Sequence, residues 1–110
     1  MSDLPPALRE IADHAGENIA CAVAYKYGGT VWRVPVDSAN PAAAELVALV
    51  GRAPVITLCL ALRGESIAVP LARRAVVCWL ARRGKRASEI ADDLRISRRT
   101  ARRYKREANL

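Results

Sequence analysis

The stretch ASEIADDLRISRRTARRYKR, residues 87–106, decides the fold of the C-terminal part of this chain. Ala87, Ile90, Ala91 and Leu94 recur at i, i+3, i+4 and i+7, which is one apolar face of a helix over Ser88–Leu94. Ser88, Glu89, Asp92 and Asp93 fall on the opposite face. Ser97 is a preferred N-cap type, so a second helix is expected over Arg98–Glu107. Only Arg95, Ile96 and Ser97 separate the two, the tight connection that a helix-turn-helix requires. Ile96 is placed to fill the gap between the helices, and Ala91 is small where two backbones approach closely.

The second helix has an unusual charge distribution. At about 100° per residue, Arg98, Arg99, Arg102, Arg103, Lys105 and Arg106 share an arc of about 160°. Thr100, Ala101, Tyr104, Glu107 and Ala108 fill the rest. A solvated helix face is the ordinary reading of surface charge, but such a face mixes signs, and like charges crowded together repel unless a polyanion neutralises them. Five of the six are arginine, whose planar fork matches phosphate and guanine edges. Double-stranded DNA is therefore the expected partner, touched by Ser97, Arg98, Arg99, Arg102, Arg103, Lys105 and Arg106. Upstream lies Leu71–Arg83, whose apolar middle, Ala75–Ala81, is flanked by Arg73-Arg74 and Arg82-Arg83. It reads as the first helix of a three-helix DNA-binding domain, residues 71–110, with Trp79 in its core and Gly84 ending it. Arg82, Arg83, Lys85 and Arg86 are placed to meet the DNA backbone.

Charge separates this part from the rest. Residues 71–110 hold thirteen basic and four acidic side chains, +9, whereas residues 1–70 hold five and seven, −2. Residues 1–70 also contain an internal repeat: a shift of 35 lays residues 6–35 on 41–70 without a gap. Pro6, Ala7, Glu10, Gly16, Gly29, Val34 and Pro35 meet Pro41, Ala42, Glu45, Gly51, Gly64, Val69 and Pro70. Four of these seven identities are glycine or proline, whose backbone roles are hardest to replace. Each copy reads as helix, glycine break, second helix (about 17–27 and 54–63) and short strand (Thr30–Val34 and Ser66–Val69). The fold class is thus mainly α with two short β-strands: an N-terminal α/β dimerisation domain and a C-terminal helix-turn-helix domain.

The dimer is expected from VITLCLAL, residues 55–62, which carries no charge on any face. A helix apolar all round must be buried all round. A homodimer would achieve this, with Trp32, Val34, Val55, Leu58, Leu62, Ile67 and Val69 at the interface and the strands pairing across a two-fold axis into a four-stranded sheet. The alternative is a monomer that covers this helix with its own first copy, Trp32 then being core.

No run of 18 or more apolar residues exists, so no membrane span is expected, and MSDLPPALRE lacks a signal-peptide pattern. A cytoplasmic, nucleoid-associated location is expected. Cys21, Cys59 and Cys78 are widely spaced and the sole histidine is His14, so buried thiols are expected rather than a metal site, and no cofactor. No paired acid and base or phosphate loop suggests an enzyme.

Taken together the chain resembles the Mor/C family of phage transcription activators. The likeness rests on Tyr27-Gly-Gly-Thr30 running into Val34-Pro35, Glu45-Leu-Val-x-x-Val-Gly51, Gly64-x-x-Ile-x-Val-Pro70, and the helix-turn-helix. It implies an intertwined dimer with helices in adjacent major grooves and contact with host RNA polymerase. By position it implies that Gly64, Ile67, Val69 and Pro70 form a strand linking the two domains, and that Arg98, Arg99, Arg102 and Arg103 face the groove. Two positions depart from the pattern: Arg95 stands where a glycine is usual in the turn, and Ala68 where an aromatic precedes Val-Pro. A DNA-binding repressor or architectural protein without polymerase contact is the alternative.

Overall fold

The computed structural model describes residues 4–110. Among them the chain is mainly helical with one two-stranded antiparallel sheet. It divides into two compact units, the first ending at Ala72 and the second spanning Arg73–Leu110.

In the first unit, α1 (Pro6–Ala15) begins with proline in its first turn, where no helical N–H is missed. It stops at Gly16, and α2 (Glu17–Tyr27) starts directly after it. A 3₁₀ turn (Pro41–Ala43) leads into α3 (Ala44–Val50), which stops at Gly51 before α4 (Arg52–Leu62). Gly16 (φ 103°, ψ 160°) and Gly51 (φ 87°, ψ 168°) share a conformation essentially reserved for glycine. A Cβ at either would meet nothing within 4 Å, so the backbone turn alone requires glycine there.

α1 packs on α2 and α4, α2 on α3, and α3 on α4. Leu8 and Ile11 of α1, Ile19 and Val23 of α2, Leu46 of α3, and Val55 and Leu58 of α4 form the fully buried centre. α2 is buried on six consecutive residues, Ile19–Ala24. α4 is not: Val55, Leu58, Cys59 and Leu62 are buried, at helical spacing, while Ile56 and Leu60 are exposed. The apolar 55–62 run therefore hides an ordinary one-faced stripe, and its inner face is covered by α1 of the same chain.

The strands β1 (Val31–Arg33) and β2 (Ser66–Ala68) pair with each other, in the register Val31↔Ala68, Trp32↔Ile67 and Arg33↔Ser66. The 35-residue repeat offset takes Trp32 onto Ile67, its partner in the ladder. The pairing is thus symmetric between the two copies. Flanking bonds from Gly29 N–H to Val69 carbonyl (2.7 Å) and from Val34 N–H to Glu65 carbonyl (2.9 Å) lengthen it. Trp32 turns inward and stacks on Tyr27, with ring centroids 5.0 Å apart.

Of the residues expected at an interface, Trp32, Val34, Val55, Leu58, Leu62 and Val69 are buried within the single chain, and Ile67 is half-buried beside them. The two strands of the sheet pair with each other within one chain, one from each copy of the repeat.

In the second unit, α5 (Arg73–Arg82), α6 (Ala87–Leu94) and α7 (Arg98–Glu107) pack pairwise. Val76, Val77, Trp79 and Leu80 of α5, Ile90 and Ala91 of α6, and Ala101 of α7 are buried. Leu71, expected in the first of these helices, lies outside it and is exposed. Cys21, Cys59 and Cys78 are buried in α2, α4 and α5. No helix among the described residues is long and apolar enough to cross a membrane.

Candidate nucleic-acid interface

α7 is positioned by a polar cap and a small packing residue. Ser97 Oγ accepts the Thr100 N–H at 3.0 Å and lies 2.9 Å from the Thr100 hydroxyl. That satisfies one of the four unpaired N–H groups at the helix start. Ala101 is fully buried, so α7 approaches its neighbours along the face opposite its charge.

The connection from α6 turns through Arg95, which adopts the left-handed conformation (φ 56°, ψ 45°). The Ile96 N–H then returns to the Ala91 carbonyl at 3.0 Å, closing the end of α6. This is the place where glycine is usual, and arginine takes up the same geometry against its steric preference. Arg95→Gly is expected to stabilise the protein by about 0.5–1 kcal/mol, the relief of left-handed strain less the entropy of an added glycine. Chemical denaturation of the two proteins reads the difference directly.

Arg98, Arg99, Arg102, Arg103 and Arg106 are all exposed on one side of α7, and Lys105 is half-buried at the edge of that side. Among the described residues, none of these six has a carboxylate within ion-pair distance. Ser97 is held in the cap through its hydroxyl, at the mouth of the helix rather than on its basic face.

Lys85 and Arg86 are exposed on the α5–α6 connection. Arg86 is engaged there: its backbone N–H donates to Glu89 Oε1 at 2.9 Å, and its Nε lies 3.3 Å from the same oxygen. These bonds, the backbone one foremost, hold the Glu89 carboxyl below its usual range. Their contribution is present above the ordinary carboxylate pKa and fades as pH falls through the lowered one. Nearby, the Arg83 guanidinium lies over the Trp79 ring at 4.8 Å, so part of the basic set is tied to the unit's own surface.

Two partners across the α5–α7 contact were not legible from spacing. Arg74 pairs with Glu107 at 3.3 Å. The guanidinium groups of Arg74 and Arg103 each lie 5.2 Å from the centre of the Tyr104 ring, within cation–π range. Arg74 is thirty or more positions from Tyr104 and Glu107 in sequence, and only the packing of α5 on α7 brings it to them.

The site has the chemistry of an anion-binding surface. Its donors are all cationic, five of them exposed planar guanidinium groups, and no group of three or more His, Cys, Asp or Glu among the described residues could hold a metal ion. No family model, curated protein or solved structure matches the chain.

Proposed function

We propose that this protein binds double-stranded DNA through a helix-turn-helix formed by α6 and α7, with α7 in the major groove, and that it regulates transcription. The observation that carries the reading is the face of Arg98, Arg99, Arg102, Arg103, Lys105 and Arg106, without a carboxylate among them and opposite buried Ala101. Such a helix can neutralise phosphates with some guanidinium groups and read guanine edges with others. Lys85 and Arg86 supply backbone contacts beside it. Genomic footprinting combined with a transcription assay on the bound promoters tests the reading. It gives the site, its symmetry and the direction of control, and an absence of protected sites overturns it.

The resemblance to the Mor/C activators extends the proposal to activation, with host RNA polymerase as a further partner, in the bacterial cytoplasm of a phage or prophage host. One observation favours the alternative of a repressor or architectural protein. The acidic side of α6, the natural polymerase contact, is partly occupied, since Glu89 is paired with Arg86.

The functional form in this proposal is a homodimer, which brings two α7 helices to one DNA site. Its surface is not the inner face of α4 but the apolar groove beside it. Val36, Ile56 and Leu60 are exposed there, Leu60 by 73%. They line a groove of about 140 Å³ whose walls also carry Asp37 and Arg63. A second copy is the occupant that suits it: in a two-fold interface each patch meets itself, so Asp37 of one subunit can face Arg63 of the other. Leu60→Asp is expected to give a monomer by sedimentation at micromolar concentration with helical content unchanged. A dimer that survives the substitution would place the contact elsewhere.

A further inference from the structure

Glu107 is the one acidic residue on α7, four positions after Arg103. At that spacing the two side chains are neighbours on the helix surface and would ordinarily pair. They do not: the Glu107 carboxylate is held instead by Arg74 of α5, at 3.3 Å. Arg103 lies over Tyr104, and Arg74 lies over the same ring. We infer that Arg74 is a positioning residue of the DNA-binding face, which draws the Glu107 carboxylate away from Arg103 and leaves the Arg103 charge uncompensated for phosphate.

This inference rests on the proposed DNA-binding reading and assigns Arg74 no DNA contact of its own. It explains why an acidic residue is tolerated at the end of a helix that otherwise faces a polyanion. Glu107 repels phosphate only if it is free, and Arg74 both neutralises it and fixes where it points. Removing Arg74 releases the carboxylate to its neighbour Arg103, and the face then meets DNA with one fewer effective cation.

The test is a set of variants of the full chain, titrated onto duplex DNA carrying the footprinted site at several salt concentrations. Arg74→Gln is expected to weaken binding about two- to threefold, the size of an i,i+4 pair formed in competition. It should also flatten the salt slope by close to one ion. Arg74→Lys, which keeps the pair with Glu107, is expected to bind as the wild type. Glu107→Gln alone changes little, and Arg74→Gln with Glu107→Gln returns to wild-type affinity. In an Arg103→Ala background, Arg74→Gln has no further effect. A loss that persists in the Arg103→Ala background, or that Glu107→Gln fails to rescue, would show Arg74 touching DNA or acting through net charge alone, and overturns the inference. Arg74 is half-exposed, and thermal unfolding of each variant separates a folding defect from a binding one. Wild-type protein that binds duplex DNA neither tightly nor with salt dependence sinks the DNA-binding reading instead.

Discussion

Arg102→Ala is expected to lower affinity for the cognate duplex by about 1–3 kcal/mol, the size of a bidentate contact to a base edge. Arg102 is the residue to choose because it lies near the middle of the basic arc, with Arg98 and Arg106 one turn away on either side. A helix laid in the major groove brings its central outward residue closest to the bases, and those at the margins of the arc closest to phosphate. The loss should therefore be larger on the cognate site than on random DNA. An equal loss on both would make Arg102 a phosphate contact. The same helix predicts a steep salt dependence: six cations releasing counterions correspond to about a 10³-fold fall in affinity between roughly 50 and 200 mM salt. A shallow dependence would mean that the exposed arginines remain in solvent when DNA is bound.

The second large effect is on stability. Leu58→Ala is expected to destabilise the N-terminal unit by about 2–5 kcal/mol, through lost transfer energy and the cavity left behind. Leu58 is fully buried among side chains of its own chain. The loss should consequently be the same at every protein concentration in urea denaturation. An interface residue would behave differently, with a loss that shrinks as the protein is diluted and both proteins become monomeric. The contrast with Leu60→Asp, two positions along the same helix, separates the core of the chain from the proposed dimer surface.

The helix pair of the second unit was legible in the sequence because its signals are local. The i, i+3, i+4, i+7 pattern of Ala87, Ile90, Ala91 and Leu94 and the Ser97 cap involve residues within one or two turns of each other. α7 spans Arg98–Glu107, as expected from those signals alone. The glycine-bounded helices of the first unit were legible for the same reason.

What escaped was the direction in which uniform sequence faces. In VITLCLAL every position is apolar or nearly so, and periodicity carries no information about which side is inward. α2 was the helix buried all round, although Lys26 and two tyrosines lie near its end. Trp32 was open between core and interface, and its stacking on Tyr27 within the chain is a contact that local spacing does not mark. Arg74, Glu107 and Tyr104 were equally hidden, since a contact between α5 and α7 depends on how two helices pack and leaves no mark in local spacing.

The ladder in which Trp32 faces Ile67 has a consequence for how this molecule can vary. Where two identical chains form a two-fold pairing, one gene writes both sides, and any substitution appears twice. Here the equivalent halves are encoded separately, so each is free to change without the other. α2 and α4 occupy corresponding places in the repeat, yet the first is enclosed and the second leaves Ile56 and Leu60 in solvent. Because the two halves of the repeat differ in sequence, the ladder keeps its symmetry while the helices behind it do not, and one half encloses its helix where the other leaves apolar side chains open.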